Sequence, residues 1–521
     1  MNLAVDFVGM EGKYKQKGGN WMFRKSWFVV LLVLAVALAG VGVAGAQTLT
    51  VAQGADPVTL DPHGQNDQPS ARVRVQIFET LVNHGPSLEI IPGLAKSWEQ
   101  IDDVTWEFKL EENVKFHNGD GFTAADVKYS FERIKELPSP AAFLIDSVQE
   151  VVVVDPYTVQ IVLHEPFAPI LAHLAHPSNA IVNRRSVEEA GDGFGSLVAV
   201  GTGPFVFEDW VAGSHVTLSR NENYWGEPAK VETLVIRGIP ENTVRAIELE
   251  TGGVDIAYNI DPTDELRLTG TPGLILDKSQ TLSTSYIGFN VQKEPFDDVR
   301  VRQAINYALD VEAVVDYIYT GQAAPAGGPL APLVWGALDV EGYEFNPEKA
   351  KALLAEAGYP DGFKTTIWTN DNPLRMQIAE MFQADLAEIG VDVEVLIVPW
   401  ATYLADTAAG KHDMFILGWV TVTADPDYGL YALFHSSQFG DPGNRSFYAN
   451  ERVDELLDLG RVEADPDKRA AIYAEAQEYI VAEAPWAFLI ATMEVNGMRD
   501  NVEGFMAHPA GHHKLSTVSK K

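Results

Sequence analysis

The residue types that perform chemistry are sparse in this chain and poorly spaced for it. There are no cysteines among its 521 residues, so thiolate metal ligands, disulfides and cysteine nucleophiles are excluded. His173 and His176 stand three apart and His512 and His513 are adjacent, but neither pair has a third ligand at an obvious spacing, so no metal site is assigned. His164-Glu165 lacks the second His of a zinc-protease helix, and Pro166 would break such a helix. No Gly-x-Ser-x-Gly elbow and no phosphate-cradling Gly-Lys-Ser/Thr loop occurs, and no cofactor is implied. Arg375 is more suggestive. It follows Thr369-Asn370-Asp371-Asn372-Pro373 near the start of a helix, where a guanidinium can fork onto a carboxylate or stay a solvated first-turn arginine. With 73 Asp and Glu, chance carboxylate pairs are easy to find, which keeps a secreted hydrolase as the alternative from another class.

Such residues need elements to hold them. Val104–Leu110 and Val159–Leu163 alternate apolar and polar side chains as half-buried strands do. Between them Thr123 caps a helix with Asp126 in its first turn, Val127, Phe131 and Ile134 on one face, and Pro138 at its end. A second helix, Asn242–Thr251, stops at Gly252-Gly253 before a short strand Val254–Ile256. Asp297 is expected to cap a helix carrying Val301, Ile305 and Ala308, and Asn346-Pro347 opens another that Gly358 closes. Helices at about Leu374–Ile389 and Asp467–Glu483 bracket strands Val391–Val398 and Asp413–Trp419. This interleaving predicts an α/β fold with mixed sheets.

Length predicts two or three domains or lobes, and 46% hydrophobic against 21% charged residues predicts a packed interior. Trp27–Val43 is apolar, with Arg24 and Lys25 before it and Ala44-Gly45-Ala46 after it, the order of a secretory signal peptide. Residues 22–46 are therefore expected to be a cleaved signal, the alternative being a retained anchor helix, and 1–21 a non-native upstream extension. Without Cys after the signal there is nothing to acylate, which predicts a periplasmic protein and not a lipoprotein. A formal net charge of −35 makes nucleic acid and anionic lipid poor partners.

Several segments, in order along the chain, resemble the large solute-binding proteins of ABC importers, the dipeptide, oligopeptide, glutathione and nickel group known as family 5. They include Leu60-Asp61-Pro62-His63, Pro92-Gly93-Leu94-Ala95-Lys96-Ser97-Trp98, Val114-Lys115-Phe116-His117-Asn118-Gly119, Gly201-Thr202-Gly203-Pro204-Phe205, Asn223-Tyr224-Trp225-Gly226, Gly288-Phe289-Asn290, Ala355-Glu356-Ala357-Gly358-Tyr359-Pro360 and Gly418-Trp419. The resemblance implies a class II periplasmic binding protein, a two-lobed clamshell with an extra subdomain in the N-terminal lobe. Lobe I would be 47–83, 202–285 and 487–521, the extra subdomain 84–201 and lobe II 286–486, with crossings near Ser285 and Pro485 as hinges. It implies no enzymatic activity, a monomer, and delivery of a small peptide to membrane permease subunits. A metal chelate such as nickel, a sugar or an opine on the same frame are the alternatives.

It also implies where the ligand sits. Asp61, His63 and Gln65 follow the first strand in a segment that faces the cleft in this family, and Tyr286 and Asn290 follow the crossing into lobe II. Trp400, Tyr403 and Trp419 are candidate apolar walls. Peptide binders tend to place an Asp three residues after the Gly-Trp tryptophan; here that position is Val422. Thr421 and Thr423 before Asp425 instead resemble the glutathione-binding branch. Asp425 is either the replacement carboxylate or an ordinary turn starter before Pro426.

Overall fold

The computed structural model of the protein describes residues 47–441 and 443–521; the expected leader, anchor alternative and upstream extension lie outside them. Capping chemistry fixes most of the anticipated helices. The Asp126 carboxylate accepts the Thr123 N–H at 2.9 Å, opening the helix Ala124–Glu136 with Val127, Phe131 and Ile134 buried. Asn242–Thr251 ends at Gly252 in the left-handed conformation, Asn346 caps Pro347–Glu356, and Asp465 caps Pro466–Glu483. Two boundaries differ. Asp298, not Asp297, caps Val299–Ala308, because the Asp297 N–H is still bonded to the Lys293 carbonyl in the preceding turn. The strand after Gly253 shrinks to Ile256–Ala257, because the Val254 N–H bonds back to the Glu248 carbonyl.

Among the described residues the largest sheet has eleven strands of mixed direction. From one edge run Asp392–Ile397, Lys364–Thr369, Met414–Val420, Leu274–Phe289, Trp486–Arg499, Ile256–Ala257, Thr48–Gln53, Thr233–Gly238, His215–Arg220 and Phe205–Val211, with Ala323–Pro325 also paired to Trp486–Arg499. Leu274–Phe289 and Trp486–Arg499 are its two longest strands and join its two ends. Their antiparallel ladder runs from Leu274 opposite Arg499 to Gln280 opposite Met493, breaks before Thr284, and shifts again between Ser285 and Tyr286. The expected crossing points, Ser285 and Pro485, fall inside the first strand and one residue before the second.

A separate four-stranded antiparallel sheet, in the order Ala95–Asp102, Thr105–Leu110, Thr158–Leu163, Val148–Asp155, packs on the helix Ala124–Glu136 around a core that includes Phe108, Phe131 and Ile161. One short turn departs from that core: Phe143 and Leu144 pack instead with Tyr428, Leu430 and Trp486. The Asn223-Tyr224-Trp225-Gly226 loop is held from below, its Tyr224 hydroxyl and Trp225 indole N–H both donating to the Glu79 carboxylate, at 2.7 and 2.8 Å.

Candidate functional site

A cavity of about 300 Å³ opens where the two long strands lose register. Alternate residues of Leu274–Phe289, namely Thr281, Ser283 and Ser285, line it, as a period of two requires, while Leu282 between them is fully buried in the core. One wall is supplied by Gln68, Arg72, Asn242, Arg245, Asn259 and the segment Pro509–Gly511. Tyr319, Gln322, Asn370, Asn372, Arg375 and Trp400 also line the cavity. Tyr319 reaches it from the end of a short π-helix, Val314–Tyr319. Gly511 has φ +72°, a conformation that favours glycine, and a side chain there would come within 2.1 Å of Gln68 Nε2 and have to displace it.

Arg375 is placed by local chemistry. Asn372 caps Pro373–Glu388 by accepting the Arg375 N–H, and the Arg375 Nη1 donates to Asn370 Oδ1 at 2.9 Å. Its guanidinium lies 5.8 Å from the Trp400 ring centroid. Among the described residues no carboxylate lies within ion-pair distance of it, so most of its N–H groups are left for a guest. Gly418 belongs to the same neighbourhood: a side chain there would meet the Thr284 carbonyl at 2.9 Å and lie in contact with Arg375 at 3.6 Å.

The lining cations Arg72 and Arg245 are more heavily bonded. Arg72 donates to Glu494 Oε1 at 2.6 Å, to Asn259 Oδ1 and to the Gly511 carbonyl. His513 Nε2 lies 3.1 Å from the other Glu494 oxygen. Burial opposes ionisation of Glu494, but the His513 and Arg72 charges prevail and hold its pKa at about 2. Arg245 gives its N–H groups to the carbonyls of Ile239, Pro240, Tyr258 and Asn259 and to Asn242 Oδ1. Burial, with Arg72 nearby, lowers Arg245 to about 10, which leaves it cationic at neutral pH. The cavity thus offers guanidinium, hydroxyl and amide groups to a guest, the furnishing of a polar, anion-bearing solute.

Of the twelve residues expected from the sequence, the structure brings Arg375 and Trp400 to this cavity. The other ten are not among its lining residues, and each has a partner or a packing role elsewhere. Arg133 grips Asp61 at 2.6 and 2.9 Å. Burial raises the Asp61 pKa, but the Arg133 hydrogen bond, the nearby His63 and Arg133 charges and the His63 N–H together outweigh it and the net shift is downward. His63 is enclosed between Arg133 and the Ala180 carbonyl, and burial pushes it down to about 4. The Gln65 side chain accepts its neighbour's N–H. Tyr286 lies flat on Trp486, ring centroids 3.4 Å apart, and Asn290 donates to the Gly410 carbonyl. The Tyr403 hydroxyl donates to the Ile416 carbonyl at 2.6 Å, and Trp419 tilts against Tyr428 in the core. Thr421 is buried with its N–H on the Leu282 carbonyl, and Thr423 bonds Asp425. Asp425 caps the helix Pro426–Phe434 and is forked by Arg469 at 2.6 and 2.7 Å.

Arg72, Arg245, Asn259, Glu494 and Thr281 were not anticipated. The Thr-x-Ser-x-Ser alternation at 281–285 was a readable signal; Arg72 and Glu494, 422 positions apart, left none. Among the described residues no group of three or more His, Cys, Asp or Glu could hold a metal ion, and no helix is long and apolar enough to cross a membrane.

The same architecture occurs in solved binding proteins. The periplasmic binding protein DppA of Helicobacter pylori, in complex with the peptide STSA, superposes with a TM-score of 0.86 at 32% identity over 91% of this chain and 98% of that one. AgaA of A. tumefacien R10, in complex with agropinic acid, gives 0.84 at 27% identity over 91% and 99%. The fold is therefore that of class II periplasmic binding proteins, α/β with a mixed sheet. The glutathione-binding protein GsiB of Salmonella typhimurium (strain LT2) is 32% identical over 494 residues, 92% of this chain and 96% of its own. The family model for bacterial extracellular solute-binding proteins, family 5 (middle part), matches residues 89–441, and the chain belongs to that family.

Proposed function

We propose that this protein is the solute-capturing subunit of an ABC importer, that it takes a small peptide or a glutathione-like peptide into the 300 Å³ cavity, and that it hands it to membrane permease subunits unchanged. The observation that carries this is Arg375: a cavity-lining cation with an amide oxygen for its partner, in the same cavity as Arg72 and Asn259. Membership of family 5, and relatives named for glutathione and peptide complexes, support the same class of ligand.

Capture works here by closure. Lobe I comprises 47–83, 202–285 and 487–521, with 84–201 as its extra subdomain, and lobe II comprises 286–486. The strands Leu274–Phe289 and Trp486–Arg499 carry the chain between lobes, and the ladder interruption after Gln280 supplies the bend. A ligand bound by both lobes favours the closed form by its excess affinity for that form, and by no more. The protein acts as a monomer, exported by a cleaved leader into the periplasm without a lipid anchor, since no Cys is available to carry one.

Native mass spectrometry of protein purified without refolding weighs any co-purified solute directly. Adding that solute raises the melting temperature and reduces the radius of gyration in scattering. Ligand that is cleaved, or bound with no compaction, would overturn the reading.

A further inference from the structure

The charged side chains that line the cavity among the described residues are mostly cationic, although two carboxylates bond to its lining from outside it, Asp261 to Asn242 at 3.1 Å and Glu265 to Gln322 at 2.6 Å. Arg72, Arg245 and Arg375 line it, whereas Glu494 is the single carboxylate among its lining residues. Glu494 is already committed, receiving Arg72 at 2.6 Å, Asn259 Nδ2 at 3.2 Å and His513 at 3.1 Å. Arg245 meets carbonyl and amide oxygens, and Arg375 one amide oxygen. An ammonium group brought here would lose its water, find no uncommitted carboxylate among the described lining residues, and sit near guanidinium charge. A carboxylate would gain from the same surroundings, most of all as a forked partner for Arg375.

We propose that this site recognises its solute by carboxylate and not by a free amino group, and so accepts carboxylate-bearing peptides whose amino end is blocked, N-acylated ones among them. This rests on the peptide reading above and narrows it. The amino group of a free peptide, when present, is left toward hydroxyls such as Thr281 and Ser283 or toward solvent, and contributes little to affinity.

Isothermal titration of the full-length mature protein with two matched series tests this: glutathione and trialanine, each free, N-acetylated and with every carboxylate converted to a carboxamide. In the series that binds, acetylation is expected to change Kd less than about threefold. Amidation is expected to weaken binding at least tenfold, about 1.4 kcal/mol. Tenfold or greater loss on acetylation would overturn the inference while leaving the peptide reading intact. Undiminished binding of the carboxamide would overturn it from the other side. Failure of every member of both series to bind a protein that melts cooperatively would overturn the peptide reading, and this inference with it.

Discussion

At the start of the helix Pro426–Phe434, Arg469 forks Asp425 at 2.6 and 2.7 Å, and Asp427, fully buried, lies 2.8 Å from His173 Nε2 and 3.2 Å from Arg461. At the start of Pro373–Glu388, Arg375 meets one amide oxygen. Both places combine Asp, Arg or His with aromatic rings at a capped helix start, and the sequence marks both as candidate binding chemistry. The difference is whether each charge is answered. In the first, every charge has its counter-charge, and rings close the rest: Phe143 stacks on Tyr428 at 5.7 Å, and the Arg461 guanidinium lies 4.8 Å from the Phe167 ring centroid. That cluster ties residues 143–176 to residues 425–461 and is architecture. In the second, a charge is left facing a cavity, which is what a ligand site requires.

The comparison breaks most readily at Asp427. Burial raises the cost of its charge, but Arg461 and His173 prevail and its pKa is lowered. Asp427→Ala leaves Arg461 and His173 enclosed without their anion, and removing one partner of a buried network costs about 3–5 kcal/mol. The urea midpoint should fall accordingly, while the protein that stays folded keeps its ligand affinity within about threefold. Normal stability with lost binding would reverse the assignment of the two clusters.

The next effect is in pH. Burial pushes His63, His117 and His508 each down to about 4 from an ordinary value of 6.5. As pH falls below 6.5 the unfolded chain takes up these protons before the folded one does. Their contribution is therefore complete above 6.5 and is lost as pH falls toward 4, at most about 3 kcal/mol for each imidazole. Melting temperature should decline through that window. Because His63 is enclosed by Arg133 and Ala180, the slope attributable to it, measured against His63→Gln, should be the same with and without ligand. A ligand-dependent slope would return His63 to the cleft.

What could be read from the sequence follows the range of the interactions. Caps are local, so Thr123, Asn346 and the Asn372-Pro373 pair announce their helices, and with the last of these the position of Arg375. Landmarks such as Gly418 are legible for a related reason, since the crowding that demands glycine comes from the neighbouring strand. The helix Pro426–Phe434 is buried all round and so shows no amphipathic period to find it by. Asp425 reads from the sequence as a replacement carboxylate or a turn starter before Pro426, and its ion pair depends on Arg469, 44 residues later. The wall of Arg72, Asn259 and Glu494 is assembled from three distant segments, and nothing local marks any of them.

Arg375→Ala, a smaller effect, sharpens the comparison from the cavity side. A charge-assisted hydrogen bond to a ligand carboxylate is worth about 1.5–3 kcal/mol, so affinity should drop about 10- to 100-fold. Stability should change by less than about 1 kcal/mol, because the side chain gives up one hydrogen bond to Asn370 and a 5.8 Å contact with Trp400.

Tyr403→Phe should give the smallest effect and the cleanest contrast with Arg375. Three residues along the same helix from Trp400, Tyr403 is fully buried, and its hydroxyl is spent on the Ile416 carbonyl inside the strand Met414–Val420. Removing that hydroxyl keeps the ring and its packing and deletes one buried hydrogen bond, a loss of about 1 kcal/mol in unfolding free energy. Binding by titration should stay within twofold. The pair Trp400 and Tyr403 would then divide as the two clusters do, the first facing the guest and the second holding the helix to the sheet. A Tyr403→Phe protein of normal stability with weakened binding would mean that the hydroxyl turns to the ligand when one is present, and that an answered polar group is no guide to architecture in this cleft.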